Sequence, residues 1–584
     1  MIIAAAILIS FLAVRGFRFD ITHEGFELAN AESFIWLLLM LFFVWVIIRS
    51  SRETDKRLKA YSALFSLLIA LFYCLGISFE KRESIHWIWQ SRSTLLNYLN
   101  LFFSHFVLYY CCSFLLFQLL RDRPSESGIN ERETTYSGKK VLLYWGLLLI
   151  AYIPWYLYCY PANMTYDSAA QVYDAIHVEN LSDHHSAFLD LVLRCILLPV
   201  EKFSGSLQLG IGICSLLQML LMTFVFALCF ERITHYIKHP FLKGLIFAWF
   251  ALYPGNTLFS VTIWKDIPFS LCFLGLLLCV DSAAENEKMF FHSKKALFWL
   301  AVTLIFLPLT RHNGLLITIL LPIFFLFRFR SFKRQILTAA VITCAVLCIW
   351  NYLLCPLLNV KKVGSGLILS LPQQQMARAI SEHHDEISSE DLALFESWYD
   401  TPEIWREYSG IFADPVKNHF IQSQYRQDPE AFFKLWLKFA GKYPVTYLEA
   451  ALHNTYGYWF PETQYWTTFC GVILGQQIGD IHAAPIYKSV IVDKIYNWHA
   501  YHQDLKIPLL PLLFSRGACW WIWLFCGFWC LYQNRKKFIL FLPGLFLWLS
   551  ILPSPVYNEY RYVYGLFIGL PLLLAASLRK CAKE

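Results

Sequence analysis

The sequence predicts an all-α polytopic membrane protein, and three observations carry that reading. Hydrophobic residues fill 57% of the 584 positions and charged residues only 16%. The apolar residues come in repeated blocks near the roughly 20 residues an α-helix needs to cross a bilayer core. Aromatic residues gather at block ends, as in Trp155-Tyr-Leu-Tyr158 and Tyr456-Gly-Tyr-Trp459, where interfacial belts place them. Basic residues form short clusters between blocks: Arg49 to Lys59, Arg121 to Lys140, Arg328 to Arg334, Arg535 to Lys537 and Arg579 to Lys583. Such clusters orient spans by staying in the cytoplasm. They account for the net charge of +7, which therefore points to no nucleic-acid partner.

About 14 spans are expected from block length: 1–15, 34–49, 61–79, 94–120, 141–160, 206–230, 242–260, 267–281, 296–310, 314–328, 335–355, 515–532, 538–552 and 562–578. Met1 to Val14 lacks a basic leader and a small-residue cleavage site, so it reads as a short first span rather than a cleaved signal peptide. Four spans form an N-terminal module, 1–120, and a charged, turn-rich cytoplasmic linker, 121–140, follows it. A membrane core, 141–355, carries the first outer loop, 161–205. Residues 356–510 are long enough for an extracytoplasmic loop subdomain, and 511–584 return as the last spans of the core. The 17 Cys lie mostly in apolar runs, and their spacing suggests neither a disulfide framework nor a zinc site.

All the basic clusters are cytoplasmic only if 187–203 does not cross. Ala187 to Val200 is short for a span, and it holds Asp190 and Arg194, both costly at mid-bilayer. It is expected to lie along the outer surface. The polar loops 161–186, 261–266, 311–313, 356–510 and 553–561 then share the outer side, with both termini cytoplasmic. Within 356–510, Glu430 to Tyr456 shows apolar residues at helical spacing, Phe432, Phe433, Trp436 and Phe439, with Lys434, Lys438 and Lys442 between them. That pattern predicts an amphipathic helix resting on the membrane surface.

A polar island opens where the block from Val141 to Tyr160 ends. Asn163-Met-Thr-Tyr-Asp-Ser-Ala-Ala-Gln171 runs on to Leu181-Ser-Asp-His-His185, with no Lys or Arg between its ends. Asp167 reads two ways. Thr165 or Asp167 can cap a helix starting near Ser168, or Asp167 can act as a general base at the water interface. Gln171 lies one helical turn on, on the same face, where it orients Asp167 or binds a ligand. His184 and His185 can be solvent-facing or belt residues, can hydrogen-bond a phosphate or sugar, or can join Asp167 and Asp183 around a metal. No i, i+4 His pair speaks for the metal.

Trp264-Lys265-Asp266 occupies a short outer turn. Asp266 before Ile267-Pro268 suits an N-cap, yet the Lys–Asp pair faces the same side as Asp167. Thr310-Arg311-His312-Asn313-Gly314 is either a helix-end turn with a snorkelling Arg or a further contribution to one site. Arg561 stands at the outer end of the last span, in Tyr560-Arg-Tyr562. Together these give an acidic set (Asp167, Asp183, Asp266) and a basic set (Lys265, Arg311, Arg561) at one membrane depth. Acids placed for proton transfer beside cations that hold phosphate oxygens suit phosphoprenyl-sugar chemistry.

In their order and shared side, these stretches resemble the C-type superfamily of membrane glycosyltransferases (GT-C), in particular its bacterial members, over about 141–578. The resemblance rests on Asp167 with Gln171, His184-His185 leading a juxtamembrane helix, Trp264-Lys-Asp266, Arg311-His-Asn-Gly314 and Tyr560-Arg-Tyr562. It implies a multi-span core in a bacterial cell membrane and a polyprenyl-phosphate-linked sugar donor. Asp167 would deprotonate an acceptor hydroxyl, which attacks the anomeric carbon with inversion. Lipid phosphate leaves, held by Arg561 or Arg311, and Gln171, His184, His185, Lys265, Asp266, His312 and Tyr560 line the substrate site. The implied partners are the donor, membrane lipid and a glycan or lipid acceptor. No cofactor is assigned, because a divalent metal, which the family allows, finds Lys-Asp here rather than an acidic pair. Two rival readings are a glycan polymerase or ligase using lipid pyrophosphate, and a lipid or glycan transporter. A transporter would need ionisable residues at mid-span, whereas here the polar residues gather at span ends. A purely structural or partner-binding membrane protein would tolerate the loss of every residue named.

Overall fold

Inside a bilayer an apolar segment can satisfy its backbone polar groups only by hydrogen bonding within itself as a helix, or in a closed barrel. The computed structural model of this chain takes the first course. It describes residues 2–17, 34–123, 136–177, 179, 181–362, 369–467, 470–471, 481–502, 506–507, 510–553 and 556–579. Among these the regular structure is helical, with only isolated β-bridges. Most of the expected linker 121–140 lies outside the described residues.

The helices, in chain order, are α1 (Ile2–Gly16), α2 (Phe34–Arg52), α3 (Lys56–Arg82), α4 (Arg92–Asp122), α5 (Gly138–Cys159), α6 (Tyr166–Ile176), α7 (Ala187–Ser204) and α8 (Leu207–Thr234). Next come α9 (Pro240–Leu252), α10 (Pro254–Ser260), α11 (Asp266–Glu285), α12 (Glu287–His292), α13 (Lys294–Thr310), α14 (Gly314–Arg328) and α15 (Lys333–Cys348). Then follow α16 (Ser370–His383), α17 (Ser389–Glu396), α18 (Pro429–Lys442), α19 (Pro444–His453), α20 (Val490–Ala500), α21 (Arg516–Gln533), α22 (Leu542–Ile551) and α23 (Tyr560–Leu578). Among the described residues, eight helices are long and apolar enough to cross a membrane: α2, α3, α4, α5, α8, α11, α15 with its flanking turns (Arg330–Leu357), and α23. The chain is an all-α protein with membrane-spanning helices.

Two apolar blocks are less regular than their composition predicts. The block 242–260 is two helices, α9 and α10, meeting at Tyr253–Pro254. Tyr253 is extended there, with φ −64° and ψ 120°, because the proline ring disfavours a helical residue before it. The block 538–552 opens with the 3₁₀ turn Arg535–Leu540 before α22. α7 is not among the eight long apolar helices, as the charges at Asp190 and Arg194 predict. It buries Ala187, Asp190 and Leu197 against its neighbours α6 and α8 and leaves Val192 and Phe203 exposed.

Three apolar clusters place the site. α1 to α4 meet α21 through Phe65, Phe114, Phe117, Trp521 and Trp529. The largest cluster joins α8, α11 and α23 with α13, α14 and α21 around Phe273, Leu277, Trp523, Tyr564 and Phe567. A third lies within 369–447, around Met376, Ile380, Trp398, Phe432 and Phe439. That third cluster corrects one sequence expectation. The stretch read as an amphipathic helix on the membrane is two helices, α18 and α19, split before Pro444. Phe432 and Phe439 face the protein cluster, and the Trp436 indole N–H donates to Gln375 Oε1 at 2.9 Å. An apolar stripe fits a protein core as well as a lipid surface, so periodicity alone could not choose between them.

Candidate functional site

The first loop is anchored before α6 begins. Asn163 forms a parallel bridge with Thr262: its N–H donates to Val261 O at 2.9 Å, and its side-chain amide donates to Thr262 Oγ1 at 2.8 Å. This fixes the start of α6 beside the start of α11. Gln218, on α8, holds the same turn by donating to the carbonyls of Phe259, Ser260 and Thr262.

The cap of α6 decides the capping reading of Asp167. Thr165 is the N-cap, and Thr165 and Ser168 form a reciprocal capping box: the Ser168 N–H donates to Thr165 Oγ1 at 3.2 Å, and the Thr165 N–H donates to Ser168 Oγ at 2.9 Å. Such a box satisfies two of the donors a helix start leaves open. Asp167, in the first turn, makes no cap and turns its carboxylate to Arg561, with which it pairs directly. Burial pushes the Asp167 carboxyl up, but the charge and hydrogen bond of Arg561, reinforced by Lys265, hold it below the usual carboxylate range.

Arg561 belongs to the first turn of α23. Beyond Asp167 it approaches Asp266 Oδ2 (3.7 Å) and Glu559 Oε2 (3.4 Å), and its guanidinium lies 4.7 Å from the ring centre of Trp264. Asp266 is fully buried and pairs with Arg311. The Arg311 guanidinium in turn stacks 3.9 Å over the Tyr562 ring. Three carboxylates, Asp167, Asp266 and Glu559, thus share two arginines, with Lys265 alongside. Lys265 is the residue just before α11, and its ammonium donates to His184 O at 2.8 Å. The start of α23 is held close by Gly457, where a Cβ would press on the Asn558 side chain and lie 2.6 Å from Tyr557 O.

The remaining candidates form a rim. Gln171 is buried and donates to His185 O at 3.2 Å rather than to Asp167. His312 meets Asp183 through its backbone oxygen (2.9 Å) and carboxylate (3.6 Å). His184 and His185 stack edge to face, 4.4 Å between ring centres. Burial and then Lys265 pull His185 down to about 3 and lower His184 as well, so both are neutral imidazoles at neutral pH. Asp266 was read as a candidate helix cap, but Lys265 precedes the helix without a capping bond, and the Asp266 carboxylate goes to the arginines.

One expected residue turns away. The Tyr560 hydroxyl bonds the Tyr253 hydroxyl at 2.8 Å inside the helix bundle, and Tyr562 supplies the aromatic face to both arginines. On a helix successive residues are about 100° apart, so the Tyr-Arg-Tyr triplet cannot aim all three side chains at one site. Two further groups stood unassigned. Asp190 is fully buried beside Gln171, and burial followed by Asp174 pushes it up to about 8 against the pull of that amide. Glu559, just before α23, is also raised, by burial against the opposing pull of Arg561 and Arg516. Asp190 carries a sequence signal, a charge in an otherwise apolar stretch, which composition alone marks only as an obstacle to crossing.

Chemically the cluster can bind an anion through Arg311, Arg561 and Lys265 and expose a carboxylate once an arginine is drawn away. A divalent cation does not fit this donor set, because each carboxylate already has an arginine against it. No curated protein and no solved structure matches the chain. A family model matches residues 175–584, which include every site residue from His184 to Arg561 and begin within α6, after Asp167 and Gln171. By that match the chain belongs to the family of unknown function DUF6020.

Proposed function

We propose that the chain is a GT-C-like glycosyltransferase of the bacterial cell membrane. It moves a sugar from a polyprenyl-phosphate-linked donor to a hydroxyl of a glycan or lipid acceptor at the outer face. The observation that carries the reading is the shared ion cluster of Asp167, Arg561, Asp266 and Arg311, gathered from four distant stretches at the ends of apolar helices. In this reading the chain crosses the membrane about 14 times, the short and broken helices counting as spans that neighbours support. Both termini are cytoplasmic, and 356–510 forms an outer subdomain that meets donor and acceptor.

The proposed reaction begins with exchange of partners. The donor phosphate draws Arg561 and Arg311 toward its oxygens, since arginine pairs bidentately with phosphate. Asp167, relieved of its cation, becomes a stronger base. It takes the proton of the acceptor hydroxyl as that oxygen attacks the anomeric carbon from the face opposite the phosphate. The new glycosidic bond forms, the bond from the anomeric carbon to the phosphate oxygen breaks, and the negative charge on lipid phosphate rests on the arginines. The neutral His184 and His185, with Gln171 and His312, offer hydrogen bonds to sugar hydroxyls. No step uses a metal.

A second reading, polymerase or ligase on a lipid pyrophosphate, is favoured by three cations in one cluster, enough for two phosphoryl groups. One experiment separates the two. Transfer of radiolabelled sugar from polyprenyl-phosphate donors into membrane glycans is compared among wild type, Asp167→Asn and Asp167→Ala at matched expression. Loss in both variants supports the base. Near-full activity in Asp167→Asn moves the polymerase reading ahead, and a wild type inactive with every donor sinks the transferase.

A further inference from the structure

A second cluster of titratable groups lies outside the proposed active site, where the loop between α3 and α4 meets α16 and α19. His86 comes from that loop, Glu382 from α16 and Glu449 from α19. Their ligand atoms lie within 4.8 Å of one another. The two carboxylates are each held by one oxygen. Arg378 donates from Nε to Glu382 Oε1 at 2.7 Å, and its Nη2 lies 3.0 Å from Glu449 Oε1. The Ile85 N–H donates to that same Glu449 oxygen at 2.5 Å.

The second oxygen of each carboxylate turns to the same ring nitrogen. Glu449 Oε2 is 3.0 Å and Glu382 Oε2 is 3.8 Å from His86 Nε2. Glu449 is fully buried, and neither its Oε2 nor His86 Nε2 has a hydrogen-bond partner of sound geometry. A fully buried carboxylate oxygen and an imidazole nitrogen that converge at ion-pair distance, yet without the geometry of a hydrogen bond, point their lone pairs at a shared third party. Two ligands of a tetrahedral metal bound at roughly 2.1 Å stand about 3.4 Å apart, between the two distances found here.

We propose that His86, Glu382 and Glu449 bind a divalent transition cation of the zinc type, with Arg378 holding both carboxylates in register. One imidazole nitrogen and two carboxylate oxygens are ligands zinc accepts, and the site leaves a fourth position for water. Arg378 and the Ile85 N–H play the outer-shell part that orients such ligands. The ion clips the N-terminal helices to the helical cluster of 369–447, since the loop between α3 and α4 supplies one ligand and α16 and α19 the others. This site is independent of the glycosyltransferase reading and needs no activity to be tested.

The test uses the full chain, purified in detergent with an affinity tag free of histidine. Metal content is measured by mass spectrometry, and thermal unfolding is followed with Zn²⁺, with Co²⁺ and with EDTA. Wild type is expected to hold about one zinc per chain and to melt lower after EDTA. With Co²⁺ it should show the strong visible absorption of a tetrahedral ion. His86→Gln, which alters a partly exposed side chain, should lose the metal and the EDTA response; Glu382→Gln serves the same purpose if His86→Gln does not fold. Arg378→Lys should retain the site with affinity weakened about 10–100-fold. Wild type without stoichiometric metal and unmoved by Zn²⁺ or EDTA would reduce the cluster to an ion pair and overturn the proposal. So would equal zinc in wild type and both ligand variants.

Discussion

Helices α11 and α23 carry an ion cluster at each end, and the two ends are built differently. At the C-terminal end, Asp281 accepts from Arg232 Nε at 2.6 Å and from the Tyr236 hydroxyl at 2.8 and 2.9 Å, while Arg579 pairs with Glu285. Each acid there has its own cation, both oxygens of Asp281 are satisfied, and among these five residues only Arg232 Nη2 is left over. At the N-terminal end, Asp167, Asp266 and Glu559 divide two arginines. Asp266 Oδ2, Glu559 Oε2 and Arg561 Nε keep no hydrogen-bond partner, nor do Gln171 Oε1 and His185 Nδ1 nearby. A nearly closed set of pairs holds helices together. A set with unused donors and acceptors can exchange partners, and buried groups left so are costly unless something else meets them.

The largest expected effect sharpens that contrast. Asp167→Asn should lower transfer about 10²–10⁴-fold, the range of a positioned general base, with a smaller loss of stability than Asp281→Asn because Arg561 keeps Asp266 and Glu559. Asp281→Asn should do the reverse. It leaves the buried Arg232 without its carboxylate, a loss of about 3–5 kcal/mol for a broken buried pair, read as a lower unfolding midpoint with normal specific activity in the protein that remains folded.

The pH dependence distinguishes Asp190 from both. Its folded carboxyl is raised to about 8, so the native state favours the protonated form. That stability is full below the ordinary carboxyl range near 3.9 and is lost as pH rises toward about 8. Asp190→Asn mimics the protonated group and should remove the decline, leaving the variant more stable than wild type at alkaline pH in a melting series. Asp167 has the opposite sign, being depressed. Its contribution holds at neutral pH and fades only as pH falls below the usual carboxylate range, a fading that Arg561→Gln should abolish.

The smallest effect is aromatic. Tyr562→Leu removes the ring over which Arg311 stacks and should weaken the cluster by about 0.5–2 kcal/mol, seen as a modest rise in KM. Tyr560→Phe, whose hydroxyl reaches only Tyr253, should leave KM unchanged. An equal response to both would mean that the two tyrosines do not divide their roles as the structure has them.

Much of this was legible in the residues alone. Uncharged apolar blocks gave the helices, and the charges at Asp190 and Arg194 set α7 apart from the long apolar ones. The association of Asp167 with Asp266, Arg311 and Arg561 followed from placing polar loops on one side. What stayed hidden depends on angles that composition does not encode. Whether Thr165 or Asp167 caps α6 is decided by one residue's backbone, and whether Tyr560 or Tyr562 meets the arginines by a rotation along α23. The apolar face of α18 was assigned to lipid because a stripe has no memory of what covers it. The meeting of His86 with Glu382 and Glu449 joins residues about 300 positions apart or more, and no local spacing announces it.

The most direct measurement is sugar transfer and thermal unfolding of wild type, Asp167→Asn and Asp281→Asn side by side, at matched amounts of folded protein. The account predicts that Asp167→Asn loses transfer and keeps the higher midpoint of the two variants, while Asp281→Asn loses more midpoint and keeps transfer per folded molecule. An Asp167→Asn protein that is stable and still transfers sugar at the wild-type rate would contradict it.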